Sequence, residues 1–358
     1  MKTFRSLDEY LPTLQEQYGI PACGLLISRH GTIIYHNLIN IKQEDLFWVY
    51  SCSKITTCTA AMQLIEQEML CLDDPVSRYL PEYARPDGTQ MTIRHLLTMT
   101  GGLDYEVDTH PNLKAFLSGP KDRLTTREVI RALGTDPLMF EPGTHYRYSL
   151  CHDVLGAVIE VVSGERLSEY CRKYIFEPLG MKDTSFSPDE TMISRLAEQY
   201  CYTSDLSRPE RCKKTNMYVF ASLYDSGGAG IITSPEDYLK LMSALSMGGA
   251  DSAGNRILKP ETVRLFAAPQ LTEALRDEFR EGNHCMDDFN YALGVRVLLK
   301  RSGCLPAGIF GWDGAASAMA LADPQNEIGI FFIAHVLNSE HIRKYVHPEI
   351  LNRFYGEL

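Results

Sequence analysis

No basic tract interleaved with aromatic residues runs through this 358-residue chain, and Lys plus Arg (35) are outnumbered by Asp plus Glu (46), giving a formal charge of -11. Nucleic acid, whose phosphates call for a basic footprint, is not an expected partner. No apolar run reaches the length of a membrane span, and residues 1–21 carry charges where a secretory leader would be apolar. Neither export nor a membrane partner is expected. The ten cysteines have neither metal-ligand nor disulfide-framework spacing. Together with the missing leader, they give an expectation of free thiols in the cytoplasm. No Gly-x-Ser-x-Gly elbow surrounds any serine, Gly228-Ala229-Gly230 lacks the spacing of a dinucleotide loop, and the histidines form no zinc motif. No cofactor and no metal are expected, and there is no internal repeat.

What is present describes an ordinary globular protein, with 44% hydrophobic and 23% charged residues, enough to bury a sizeable core. At about 150 residues per domain, the length suggests two units or one unit carrying an insertion. Residues 6–18 have helical polarity. Two β-rich runs, Ala22 to Ile27 and Thr32 to His36, flank a turn at Gly31, where glycine allows positive φ. Toward the other end, Tyr291 to Lys300, Cys304 to Phe310, Ala315 to Ala322 and Ile328 to Val336 read as strands separated by turn signals, and Glu340 to Tyr355 returns to helical spacing. Short turns between successive strands predict antiparallel pairing, with a helix from each terminus covering one face. The middle is mostly helix and loop, with helical candidates at Thr92 to Leu97, Thr126 to Leu133, Leu150 to Val162 and Leu167 to Phe176. The expected organisation is therefore an α/β sheet domain from residues 1–75 and 218–358, with a mostly helical inserted domain over 76–217. A small-molecule cleft is expected between them.

The sharpest local constellation is Tyr50-Ser51-Cys52-Ser53-Lys54, opening a helix whose apolar stripe is expected to run through Ile55, Cys58, Met62, Ile65 and Met69. A three-residue spacing on a helix puts Ser51 and Lys54 on one face. Serine is a weak nucleophile at its free pKa, and a neighbouring amine is one way to activate it. Free N–H groups at a helix start also favour negative charge developing on an attacked substrate. The same residues would equally make an N-cap serine followed by a surface lysine.

The surrounding segments decide the weighting. Ser51-x-x-Lys54 is followed by Leu70-Cys71-Leu72-Asp73-Asp74-Pro75-Val76, by Thr92 to Leu103 with its Leu96-Leu97-Thr98-Met99-Thr100-Gly101-Gly102-Leu103 core, and by Glu141-Pro142-Gly143-Thr144 leading to Tyr148-Ser149. Pro178-Leu179-Gly180-Met181 with Thr184 and Phe186, and the Gly-rich Gly227 to Ser234, complete an ordered series spanning residues 22–336. This series resembles the serine β-lactamase and penicillin-binding-protein superfamily, especially its class C branch, which also contains esterases, D-amino-acid peptidases and transesterases. The resemblance implies the serine β-lactamase-like fold. It also implies Ser51 as nucleophile, Lys54 and Tyr148 as the acid/base pair, and the main-chain N–H groups of Ser51 and Ala315 as oxyanion hole. A phenol with an ordinary pKa near 10 acts at neutral pH only if its environment supports it, and Lys54 is the group to do so.

Two departures shape the expected substrate. Leu150 stands where the family usually has the Asn of Tyr-x-Asn, and it cannot donate to an amide carbonyl. His152 and Asp153 follow at once. They either restore a polar contact from the next turn or serve a solvated or helix-stabilising role, and the sequence leaves both open. In place of Lys-Thr-Gly the chain has Trp312-Asp313-Gly314, resembling a variant of esterase-like members. Gly314 leaves room for a substrate carbonyl, and Trp312 offers an uncharged face or merely packs the strand edge. Arg147, beside Tyr148, remains a candidate for binding a carboxylate. With Trp312, Gly314 and Leu150 as substrate-binding positions, the expectation is a serine hydrolase acting through an acyl-enzyme on small acyl esters. A D-stereospecific peptidase or amidase, a weak β-lactamase and a non-catalytic binding or sensor domain are the alternatives. The sequence names no oligomeric partner.

Overall fold

The computed structural model describes residues 4–203, 208–282 and 287–358. Cys285 and part of the loop from Phe279 to Asn290 lie outside the described residues.

The strands with period-two apolar residues build one seven-stranded antiparallel sheet. They are β1 (Cys23–Arg29), β2 (Thr32–Ile39), β3 (Phe289–Tyr291), β4 (Arg296–Leu298), β5 (Phe310–Gly314), β6 (Ala318–Asp323) and β7 (Ile328–Ile333), in spatial order β2-β1-β7-β6-β5-β4-β3. The two chain ends thus meet at the β1–β7 pair, where Leu26 faces Phe331 and Leu25 faces Phe332. Every residue of β6 and β7 is buried, which requires cover on both faces. Leu25, Ile27, Met319, Leu321, Ile330 and Phe332 point to one face. Helix α1 (Arg5–Tyr10) and the C-terminal helix cover that side, with Leu7, Ile350 and Phe354 in the same cluster. Leu26, Ala320, Phe331 and Ile333 point the other way, into the larger core. Three helices pack there: α2 (Ser53–Glu66), α3 (Cys151–Ser163) and α4 (Pro235–Ser246). Each large apolar side chain buried in this way contributes about 1.5–3 kcal/mol.

Four expected boundaries move, each for a visible reason. The run from Tyr291 to Lys300 is two short strands because Gly294 breaks it at φ +100, where a Cβ would run into the Cys58 thiol of α2. Cys304 to Phe310 is mostly turn around Pro306, and the strand begins at Phe310. Ala315 to Ser317 form the tight turn of the β5–β6 hairpin, with Ser317 at φ +59, so the next strand starts at Ala318. Helix α2 has no apolar stripe: Ser53 through Leu64 are all buried, the helix ends at Glu66, and Met69 lies beyond it, exposed. A helix enclosed on all sides carries no amphipathic signal.

Candidate active site

The chain approaches Ser51 under constraint. Phe47–Trp48 pairs with Ile232–Thr233, and Val49 N–H donates to the Ile231 carbonyl, 3.1 Å, so the Gly-rich segment forms the bed on which the turn carrying Ser51 lies. Tyr50 sits at φ +47, in the left-handed region that bulky residues avoid. Its hydroxyl donates to Gln199 Oε1, 2.8 Å, which anchors the bend. Ser51 occupies a single 3₁₀ turn, Tyr50–Cys52, immediately before α2 rather than the first turn of the α-helix itself. On the far side, Ile231 N–H donates to Ser53 Oγ, 2.9 Å.

One turn on, Lys54 is completely enclosed. Its Nζ donates to the Gly228 carbonyl at 2.6 Å and lies 3.3 Å from both Ser51 Oγ and the Tyr105 hydroxyl. Loss of solvent pushes its pKa down to about 8, against the opposing pull of the Asp153 carboxylate. Tyr148 stands half-buried between two rings, stacked on Tyr105 at 5.5 Å and on Trp312 at 5.6 Å. Its phenol oxygen accepts from Trp312 Nε1 at 3.1 Å, and its ring lies 4.7 Å from Lys54 Nζ. Burial raises the Tyr148 pKa well above the ordinary phenol value, while hydrogen bonding to Ser51 and from Trp312 works the other way.

The structure therefore gathers Ser51, Lys54, Tyr148 and Trp312 in one place. Gly314 ends the strand beside them, and there the reason for glycine is a backbone contact: a Cβ would run into the Val49 carbonyl. Ala315 follows in the hairpin turn, partly exposed. Leu150 does not join the cluster. It caps α3, donates its N–H to the Asp104 carbonyl at 3.3 Å, and is packed in the main core at 2% exposure.

Neither His152 nor Asp153 is solvated. His152 is fully buried against Cys58, and desolvation lowers its pKa to about 3, leaving a neutral ring. Asp153, 1% exposed, accepts from Tyr224 and Ser226. Arg147 is committed elsewhere, with Nε and Nη2 both on Asp104 Oδ2 at 2.8 and 2.5 Å. That pair forms part of the wall of a cavity of about 640 Å³ that opens beside Tyr148, with His145 and Glu278 across it.

Tyr105 is the residue that sequence reasoning missed. It follows directly on the Thr92 to Leu103 segment, where Asp104 Oδ1 accepts from the N–H groups of Tyr105 and Glu106 and turns the chain so that the ring faces Lys54. No spacing relates it to Ser51, and the only available signal was an aromatic residue just past a Gly-Gly turn.

Comparison with known proteins identifies the family and the fold. The Beta-lactamase family model matches residues 7–352. Esterase EstB of Burkholderia gladioli is 31% identical over 258 residues, covering 62% of this chain and 64% of EstB. A monacolin J acid methylbutanoyltransferase of Aspergillus terreus is 27% identical, over 70% of this chain and 64% of that protein. Among solved structures, EstCE1, described as a hydrolase with promiscuous acyltransferase activity, superposes with a TM-score of 0.80 at 29% identity, covering 98% of both chains. Esterase and acyltransferase relatives together support an enzyme of the serine hydrolase or acyl-transfer type, and with the match running through almost the whole sequence, the chain belongs to the β-lactamase family.

Proposed function

We propose that this protein cleaves small acyl esters through an acyl-enzyme on Ser51 and passes the acyl group to water or to another hydroxyl. The observation that carries the reading is the fully buried amine of Lys54, 3.3 Å from the Ser51 hydroxyl. An amine whose pKa lies at about 8 holds a usable fraction of its neutral form at physiological pH, which makes it a competent base. Tyr148, with its pKa raised, keeps its proton and suits the role of acid.

In the first half-reaction Lys54 takes the Ser51 proton as Oγ attacks the ester carbonyl carbon. The negative charge that forms on the carbonyl oxygen meets the N–H groups of Ser51 and Ala315, neither of which donates to a main-chain acceptor among the described residues. The close approach at Gly314 sets the hairpin turn against the segment leading to Ser51, so the two donors can converge. The carbon–oxygen bond to the leaving group breaks, Tyr148 protonates the departing alkoxide, and the lysine proton restores the phenol. Attack by water or an alcohol reverses these steps. The cavity beside Tyr148 borders the side from which the leaving group departs and the acceptor arrives. Esters are favoured over amides because Leu150 is packed in the core, where it offers no side-chain donor to an amide carbonyl.

The test is labelling with a fluorophosphonate followed by intact mass and peptide mapping. One adduct on Ser51 is expected, and folded protein that takes no label would overturn the reading. A panel of p-nitrophenyl esters, D-aminoacyl anilides and nitrocefin should give ester kcat/KM at least about tenfold above the other two, or roughly 1.4 kcal/mol of transition-state preference.

A further inference from the structure

Asp153 is a buried charge for which the scheme above has no task. It lies in the first turn of α3 at 1% exposure. Its Oδ1 accepts from the Tyr224 hydroxyl and Ser226 Oγ, both at 2.7 Å, and from Gly228 N–H at 3.3 Å. Its Oδ2 is just as buried and has no hydrogen-bond partner. An unpaired carboxylate oxygen in the interior is costly, so its orientation calls for an explanation. Gly228 supplies it. A Cβ placed there would lie 2.5 Å from Asp153 Oδ2 and 3.3 Å from Lys54 Nζ. The orphan oxygen and the amine therefore face each other across the space that a side chain at position 228 would fill.

The other groups around Lys54 carry no compensating negative charge. The Tyr105 and Tyr148 phenols, and the Cys52 and Cys58 thiols of its own helix, are pushed up by burial and stay neutral at physiological pH. From α3, Cys151 is raised to about 11 and His152 is lowered to about 3. No carboxylate lies within ion-pair distance of Lys54 among the described residues.

We propose that Asp153 is a positioning residue for acyl transfer: its unpartnered Oδ2, facing Lys54 across Gly228, holds the amine in reach of Ser51 and sets the pH at which Lys54 becomes a base. This fills the place left by Leu150, since the polar surroundings of the lysine come from the Gly228 carbonyl and the Asp153 carboxylate. Desolvation is the largest influence on Lys54, and among the groups that oppose it Asp153 is the strongest. The inference rests on Lys54 acting as the base in the proposed function.

The experiment is kcat/KM against pH, with a p-nitrophenyl ester, for the wild type, Asp153→Asn and Tyr224→Phe. Removing a negative charge that faces a lysine lowers the lysine pKa, and a shift of about one unit is the scale for a charge at this range. The acid limb, near pH 8 in the wild type, should move down by about one unit in Asp153→Asn. Tyr224→Phe removes a hydrogen bond to Oδ1 but leaves the charge, and its limb should stay where it is. A purely structural role would lower the curve without sliding it along the pH axis. A folded Asp153→Asn protein whose limb coincides with the wild type overturns the proposal. Should that variant fail to fold, Asp153→Ser removes the same charge through a smaller side chain. A downward shift there supports the proposal, and an unmoved limb overturns it. Wild-type labelling of Ser51 separates the two levels: no label defeats the acyl-transfer reading itself, whereas a labelled enzyme with an unmoved limb defeats only the role of Asp153.

Discussion

The floor and the rim of the site are both built from charged groups, yet physics gives them different weights. At the floor Lys54 is sealed between α2 and α3, over Gly228 and Asp153, with no exposure. Behind Trp312, toward the C-terminal helix that carries His347, Arg296 and Asp313 make a two-pronged ion pair at 2.6 and 2.9 Å that is almost as enclosed. At the rim, Arg147 pairs with Asp104 and His145 with Glu278, but the Arg147 and His145 side chains are about half exposed. Water screens the rim pairs, whereas nothing screens the floor. Chemistry is accordingly fixed where solvent is absent, and the mouth is free to vary at little cost to the machinery.

That contrast can be broken or sharpened by substitution. Lys54→Met strikes the floor at its centre, and kcat/KM for a p-nitrophenyl ester should fall by about 10³-fold, the scale for losing a general base. Retained activity would erase the distinction between the two regions. Arg296→Met leaves the Asp313 carboxylate buried without its main partner, and urea unfolding should show a loss of about 3–5 kcal/mol. His347 Nδ1 also lies 3.6 Å from Asp313 Oδ1. Trp312→Phe keeps an aromatic wall but deletes the donor to Tyr148, and kcat should drop by roughly five- to tenfold, about 1 kcal/mol for one hydrogen bond. At the bottom of the scale, Glu278→Gln at the rim preserves an acceptor for Tyr146 N–H and removes only a screened charge. Its kcat/KM toward a neutral ester should stay within about threefold and its stability within about 1 kcal/mol of the wild type.

How much of this was legible beforehand depended on whether the signal was local. Ser51 and Lys54 show through a three-residue spacing, which a helical turn converts directly into proximity. Strands β1 and β2 show through their turn at Gly31. Tyr105 does not, because tertiary packing alone brings it to Lys54, and Asp153 shows only as an open candidate, since a buried aspartate looks the same in sequence as a solvated one. The apolar stripe expected on α2 failed for a related reason: a helix with cover on every side has no wet face to write a period into the sequence. Strand limits near residue 300 shifted because Gly294 and Pro306 act as breaks only in the company of their neighbours. Gly314 was legible as a glycine that mattered, although its immediate neighbour is the Val49 carbonyl.

The bend at Tyr50 links the reaction to a distant part of the molecule. A left-handed tyrosine is held there by Gln199, which belongs to the small sheet formed by Gln199–Cys201, Glu210–Cys212 and Val336–Leu337. Strain of about 1–3 kcal/mol at such a residue persists only while its anchor does. Warming that loosens these three short strands would let the bend relax and swing Ser51 away from Lys54 while the main sheet is still intact. Turnover of a p-nitrophenyl ester should therefore fade several degrees below the calorimetric melting point and return on cooling, with the small sheet acting as the thermal fuse of the site.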